Sequence, residues 1–91
     1  MDPNRLTELR QRLQSGDPAV RDEIVQAVES RRDERGGHTQ WGLLCEQAGL
    51  MGLAFREFQL AVRDDRNDPV ACQKLAEHFR EHGDAVRAAA L

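Results

Sequence analysis

The chain has 91 residues, of which 32% are charged and 40% are hydrophobic, and its formal net charge is −3. This length predicts one small domain, and the near balance of charge gives no electrostatic reason to expect a nucleic acid or a membrane as partner. There is no apolar run of about 18 residues that could span a bilayer, and the polar N-terminus lacks a signal-peptide core. We therefore expect a cytoplasmic protein.

The first two predicted helices each open with an Asp-Pro pair, in which aspartate caps the helix and proline fits its first turn. Asp2-Pro3 opens the first helix, which ends at Gly16, and Asp17-Pro18 opens the second. Apolar residues at helical spacing predict the buried stripes of the two helices: Leu6, Leu9 and Leu13, then Val20, Ile24, Ala27 and Val28. Residues 31–37 are charged and then glycine-rich, which predicts a solvated helix end with a glycine stop. A hinge or docking loop is the alternative.

Further helices are predicted at residues 39–48, at residues 51–65 and from Pro69 onward, with a sixth from Asp84 to the end of the chain. Gly49 ends the third helix, because glycine adopts the positive φ of such a turn at little cost. Asp68 caps the fifth helix. The sixth helix would leave apolar side chains uncovered, which favours self-association through this C-terminal end. The alternative is that the natural chain continues.

Residue sizes in these helices repeat every 34 positions, which is the period of a paired-helix repeat. The aligned pairs need no gap: Trp41 with Leu75, Gly42 with Ala76, Gly49 with Gly83, Ala54 with Ala88, and Ile24 with Phe58. The small members allow two helices to approach within about 8–10 Å, and the large members fill the space between them. A generic antiparallel bundle would show helical spacing but would not keep small and large residues in register at one period.

This pattern resembles the tetratricopeptide repeat, a helix–turn–helix unit of 34 residues. The resemblance implies an all-α fold, namely a right-handed stack of about five to six antiparallel helices that forms an α-solenoid fragment. A single domain over residues 1–91 then contains three repeats: 1–34, 35–68 and a truncated 69–91. Thr7 and Glu8 stand where the first repeat should carry apolar residues, so this repeat is degenerate or serves as an N-terminal cap.

In tetratricopeptide-repeat proteins, the first helices of successive repeats line a concave groove that holds an extended peptide or a helix. The resemblance therefore implies a scaffold or adaptor for another protein. Its groove positions here are Arg5, Thr39, Gln40, Leu43, Glu46, Gln47, Val70, Gln73, Lys74, Glu77, Arg80 and Glu81. Some members grip a partner's C-terminal carboxylate with Lys, Arg and Asn, at positions that match Arg5, Leu9, Gln40, Val70 and Lys74. Leu9 and Val70 depart from that pattern, so the implied clamp is incomplete.

No motif indicates catalysis, because the chain lacks a phosphate-binding glycine loop, a nucleophile elbow and a CxxC pair. His78 and His82 are spaced to share a metal on one helix, but the HExxH order is missing and Phe79 takes the inward face, so we predict surface histidines. Trp41 and Cys45 occupy packing positions and are predicted core residues. We expect no enzyme activity, no cofactor and no metal.

The two cysteines, Cys45 and Cys72, would lie on neighbouring helices with an axial offset of about 10 Å. A disulfide tolerates only about 7 Å between Cα atoms, so we predict two free, buried thiols, as suits a reducing compartment. Two alternatives to an adaptor remain open. One is a non-catalytic helical accessory region of a larger enzyme or complex, and the other is a small metal-binding helical protein that uses His78 and His82.

Overall fold

The computed structural model describes residues 3–81 of the chain, and this part consists of helices joined by short connections, without a strand. Its five helices are α1 (Pro3–Gln14), α2 (Val20–Ser30), α3 (His38–Gln47), α4 (Met51–Asp64) and α5 (Pro69–Glu81). The prediction of an all-α fold is confirmed. The predicted cap at Asp2 and the predicted sixth helix, with its uncovered C-terminal end, lie outside the described residues.

Two glycines end helices where the sequence predicts it. Gly16 follows α1 with a φ of 82°, and Gly49 follows α3 with a φ of 77°. At each site the glycine N–H and the next N–H donate back to carbonyls of the last turn; after α3, Leu50 N donates to Cys45 O at 2.9 Å. This pair of bonds satisfies the free carbonyls at a helix end, and it requires the positive φ that glycine supplies.

The two predicted aspartate caps have different outcomes. Asp68 caps α5 as predicted, since its Oδ1 accepts hydrogen bonds from the N–H groups of Val70 and Ala71, each at 3.0 Å. At Asp17 the prediction places the helix start two residues too early, because α2 begins at Val20. The Asp17 carboxylate accepts a hydrogen bond from Ala19 N at 2.9 Å and thereby closes a turn ahead of the helix.

Helices α3 and α4 form a close antiparallel pair joined by the turn at residues 48–50. A Cβ atom added to Gly42 on α3 would lie 2.7 Å from Cε1 of the Phe58 ring on α4, which is closer than atoms can pack. The predicted close approach at Gly42 is therefore confirmed. Helix α5 packs on the other side of α4, and α1 packs against both α2 and α3.

The core follows the predicted apolar stripes. Its buried members come from all five helices: Leu6, Leu9, Val20, Ile24, Val28, Trp41, Leu44, Cys45, Ala48, Ala54, Phe58, Ala61, Ala71 and Leu75. Two predictions about burial are wrong. Cys72 is exposed, because Ala71 and Leu75 hold the inward face of α5 and turn the neighbouring Cys72 outward. Arg31, predicted at a solvated helix end, is only 6% exposed.

Candidate functional site

The predicted groove residues of α3 and α5 lie on neighbouring helices that run in the same direction. The Thr39 hydroxyl donates to Asp68 Oδ2 across a sequence separation of 29 residues. Lys74 Nζ donates to Glu46 Oε1 at 2.9 Å across a separation of 28 residues. Because the separation is nearly constant along the two helices, α3 and α5 are parallel. We call their predicted contact side chains the α3–α5 face: Thr39, Gln40, Leu43, Glu46, Gln47, Val70, Gln73, Lys74, Glu77, Arg80 and Glu81.

Most side chains of the α3–α5 face are open to solvent. The exposed members are Gln40, Gln47, Val70, Gln73, Arg80 and Glu81, and the half-buried members are Thr39, Leu43, Glu46, Lys74 and Glu77. Val70 is 39% exposed and is, with Met51, one of the two exposed large apolar residues in the described part of the chain. The face thus combines amides, charges and an apolar side chain, a mixture that a protein partner can contact.

The cations of the implied carboxylate clamp already have acidic partners. Lys74 is bonded to Glu46, and this hydrogen bond raises the pKa of Lys74, with further attraction from nearby carboxylates. Arg5 donates to Glu8 at 3.2 Å and to Glu23 at 3.4 Å. Leu9 is fully buried, so this clamp position cannot contact a partner. The structure therefore places Arg5 apart from the α3–α5 face, in a different surface cavity from Lys74.

A small cavity of about 110 Å³ lies beside the α3–α5 face, between α4 and α5. Its floor includes Phe55 and Phe58, and carboxylates of α3 and α5 line its rim. The His78 ring stacks on Phe55 with 4.1 Å between ring centroids. This stacking gives His78 a packing role on a half-buried surface, whereas the sequence predicts a solvated side chain. The second histidine of the proposed metal pair, His82, lies outside the described residues.

A buried polar pair that the sequence analysis missed connects α3 with α4. His38 Nδ1 lies 2.9 Å from Glu57 Oε1, and neither side chain is exposed. His38 Nε2 lies 2.6 Å from the carbonyl oxygen of Glu34. Burial, together with the charge of Glu57, raises the pKa of the neighbouring Cys45 thiol to about 12. Cys45 is therefore a protonated, unreactive thiol at neutral pH, as a packing role requires.

A larger cavity of about 370 Å³ lies where α1, α2 and α3 meet. Arg5, Arg31 and Trp41 line it together with Ala27 and the carboxylate of Glu34. The Arg31 guanidinium lies over the indole of Trp41, with Cζ at 5.5 Å from the ring centroid. Sequence analysis missed this cavity because it assigned Arg31 to a solvated connection and Trp41 to the core alone.

Comparisons of the chain with models of protein families, with curated proteins and with solved structures found no match. Within residues 3–81, no helix is both long enough and apolar enough to cross a bilayer. The same residues contain no group of three or more metal-ligating side chains that could hold an ion. A functional conclusion must therefore rest on the geometry of the described helices.

Proposed function

We propose that this chain is a protein-binding scaffold, an α-solenoid fragment of tetratricopeptide type, that holds a peptide or a helix of a partner on the α3–α5 face. The observation that carries the proposal is the parallel alignment of α3 and α5, fixed by the Thr39–Asp68 and Glu46–Lys74 contacts. In a stack of helical hairpins, the first helices of successive repeats lie side by side in this way. The close approach at Gly42 also supports a paired-helix repeat.

The open side chains of the face suit a partner that is held by several modest contacts. Gln40, Gln47 and Gln73 offer amide groups that donate and accept hydrogen bonds, and Val70 offers an apolar contact. The cations nearest to them are neutralised within the chain, so we do not propose a carboxylate clamp at this face. We propose no catalysis by the chain itself, and a cytoplasmic setting, which the free thiols of Cys45 and Cys72 suit.

The proposal can be tested by capture of partners from an extract of the cells that make the protein. The immobilised wild type is compared with a variant that carries Gln40→Arg and Gln73→Arg on the α3–α5 face. The matched control carries Gln26→Arg and Gln59→Arg on α2 and α4, where both glutamines are equally exposed. We expect the same proteins to bind the wild type and the control, and to be lost from the face variant.

The second candidate function is a non-catalytic accessory region of a larger enzyme or complex. In that case the same capture would retain subunits of one complex through some other surface, and the face variant would retain them equally. Equal retention by all three proteins, with circular dichroism showing each to be folded, would contradict the adaptor proposal and favour the accessory region.

A further inference from the structure

The cavity at the junction of α1, α2 and α3 contains two buried N–H groups without an acceptor. Arg31 is 6% exposed and Trp41 is 2% exposed, and both side chains line the cavity. Within the described part of the chain, neither Nη1 of Arg31 nor Nε1 of Trp41 has a hydrogen-bond partner. Because buried donors are nearly always paired in folded proteins, these two groups indicate an acceptor that the chain itself does not supply.

The geometry of the two donors suits one small oxyanion. Arg31 Nη2 donates to the carbonyl oxygen of Gly36 at 2.9 Å, which holds the guanidinium in place and leaves Nη1 for another acceptor. The guanidinium carbon lies 5.5 Å from the centre of the Trp41 ring, so a single group between them can reach both donors. Arginine matches the planar shape of a carboxylate through two parallel N–H bonds.

We propose that this cavity binds a small monocarboxylate, whose oxygens accept hydrogen bonds from Arg31 and Trp41. The volume of about 370 Å³ lies within the range of small-molecule sites, about 300–1,000 Å³. Ala27 and the indole of Trp41 provide an apolar wall for a short aliphatic chain attached to the carboxylate. The site lies at α1, α2 and α3, so the inference does not depend on a partner at the α3–α5 face.

The charges around the cavity favour a single negative charge on the ligand. Two arginines, Arg5 and Arg31, line the cavity with one carboxylate, Glu34, which leaves one formal positive charge. Glu34 Oε2 lies 3.4 Å from Arg31 Nη2 and competes for the same guanidinium. A doubly charged phosphate would meet this carboxylate with no second free cation, because Arg5 also pairs with Glu23.

Binding can be measured directly because Trp41 is the only tryptophan of the chain and lines the cavity. The full chain is titrated with sodium butyrate at constant ionic strength, with sodium chloride and inorganic phosphate as parallel titrations. We expect a saturable change in tryptophan fluorescence and a rise in the melting temperature with butyrate alone. A ligand that binds only the folded state raises the melting temperature in this way.

Three variants make the test specific. Arg31→Gln should weaken butyrate binding at least tenfold, whereas Arg32→Gln, at the next position with a side chain 59% exposed, should leave it unchanged. Glu34→Gln should tighten binding, since it removes the competing carboxylate. If Arg31→Gln does not fold, Glu34→Gln decides: tighter binding upholds the proposal, and equal or weaker binding overturns it.

Several results would overturn the inference. Identical responses to butyrate and chloride would show that the donors are met by water alone. A stronger response to phosphate than to butyrate would contradict the assigned ligand class. Butyrate binding that is undiminished in folded Arg31→Gln would place the binding elsewhere.

Discussion

His38 and Glu57 face each other across the α3–α4 interface, 2.9 Å apart, with no solvent access to either side chain. His38 is the first residue of α3, and Glu57 lies in the middle of α4. The second ring nitrogen of His38 contacts the carbonyl oxygen of Glu34, so the imidazole also ties the preceding connection to the core. Each partner satisfies a buried polar group of the other, and loss of either leaves its counterpart unpaired.

Removal of one member of this pair should therefore be costly. We expect His38→Leu and Glu57→Leu each to lower the free energy of unfolding by about 3–5 kcal/mol, since a buried charge or polar group is left without its partner. The double variant should lose much less than the sum of the two losses, because neither polar group then remains. Urea denaturation measures all three, with Gln59→Leu on the exposed side of α4 as control. Additive losses would show that the pair has no coupling energy.

Two helical glycines allow a matched test of the α3–α4 contact. Gly42→Ala should destabilise the fold, because overpacking against Phe58 costs about 1–3 kcal/mol, more than the ~1 kcal/mol that alanine gains over glycine in a helix. Gly52→Ala on α4 meets no atom within 4 Å, so it should stabilise by up to ~1 kcal/mol. Thermal unfolding of both variants measures the difference. Equal effects of the two substitutions would contradict the close approach at Gly42.

The two cysteines should differ in reactivity. At pH 8 a thiol reagent should modify the exposed Cys72 rapidly, while the buried Cys45 should react only when the chain unfolds. The reaction is followed with Ellman's reagent, in buffer and in denaturant, and Cys72→Ser removes the rapid phase. Rapid modification of both thiols in the native protein would contradict the packing of Cys45.

Cys45 also predicts a loss of stability in alkali. Burial raises the pKa of Cys45 from its ordinary value of 9.0 to about 12, so the folded chain holds this proton more tightly than the unfolded chain. The resulting contribution to stability is complete below about pH 9 and is lost as the pH rises towards 12. We expect the free energy of unfolding to fall more steeply across this range in the wild type than in Cys45→Ala. Parallel profiles would contradict the raised pKa.

Asp68 has two roles that can be separated by substitution. Asp68→Ala should cost about 1 kcal/mol, because α5 loses its N-cap, whereas Asp68→Asn keeps an acceptor and should cost little. The hydrogen bond from Thr39 and those from Ala71 and Val70 lower the pKa of Asp68 below its ordinary value of 3.8. Its charge therefore stabilises the fold above that value, and this contribution is lost as the pH falls through the lowered pKa.

The acid-dependent part of this stability should be smaller in Asp68→Asn than in the wild type. Urea denaturation at several values between pH 7 and pH 3 measures it for the three proteins. A loss in Asp68→Asn as large as that in Asp68→Ala would show that the carboxylate charge, rather than the cap, is what stabilises α5.

The helices and their turns could be predicted because they depend on local patterns. Apolar stripes, the glycines at 16 and 49 and the cap at Asp68 each act within a few residues along the chain. Glu57 also left a signal in the sequence, since it lies on the same helical stripe as Ala54, Phe58 and Ala61. A glutamate at such a position requires a buried partner, although nothing local identifies His38, which lies 19 residues away.

The burial of Arg31 could not be predicted, because it depends on contacts between separate elements. Its run of charged neighbours is typical of a solvated connection, but the guanidinium folds back over Trp41 and reaches the carbonyl of Gly36. The exposure of Cys72 has a simpler cause. Ala71 and Leu75 already define the inward face of α5, and a helix that buries residue 71 turns residue 72 by about 100° away from it.

The central claim, that the α3–α5 face binds a partner, is tested most directly by photo-crosslinking. A benzophenone amino acid is placed at Gln40 or Gln73 on the face, or at Gln26 or Gln59 on α2 and α4, all of them exposed glutamines. After irradiation in an extract of the source cells, we predict discrete adducts of the same partner from the two face positions and none from the other two. Adducts only from Gln26 or Gln59, or none from any position, would contradict the claim.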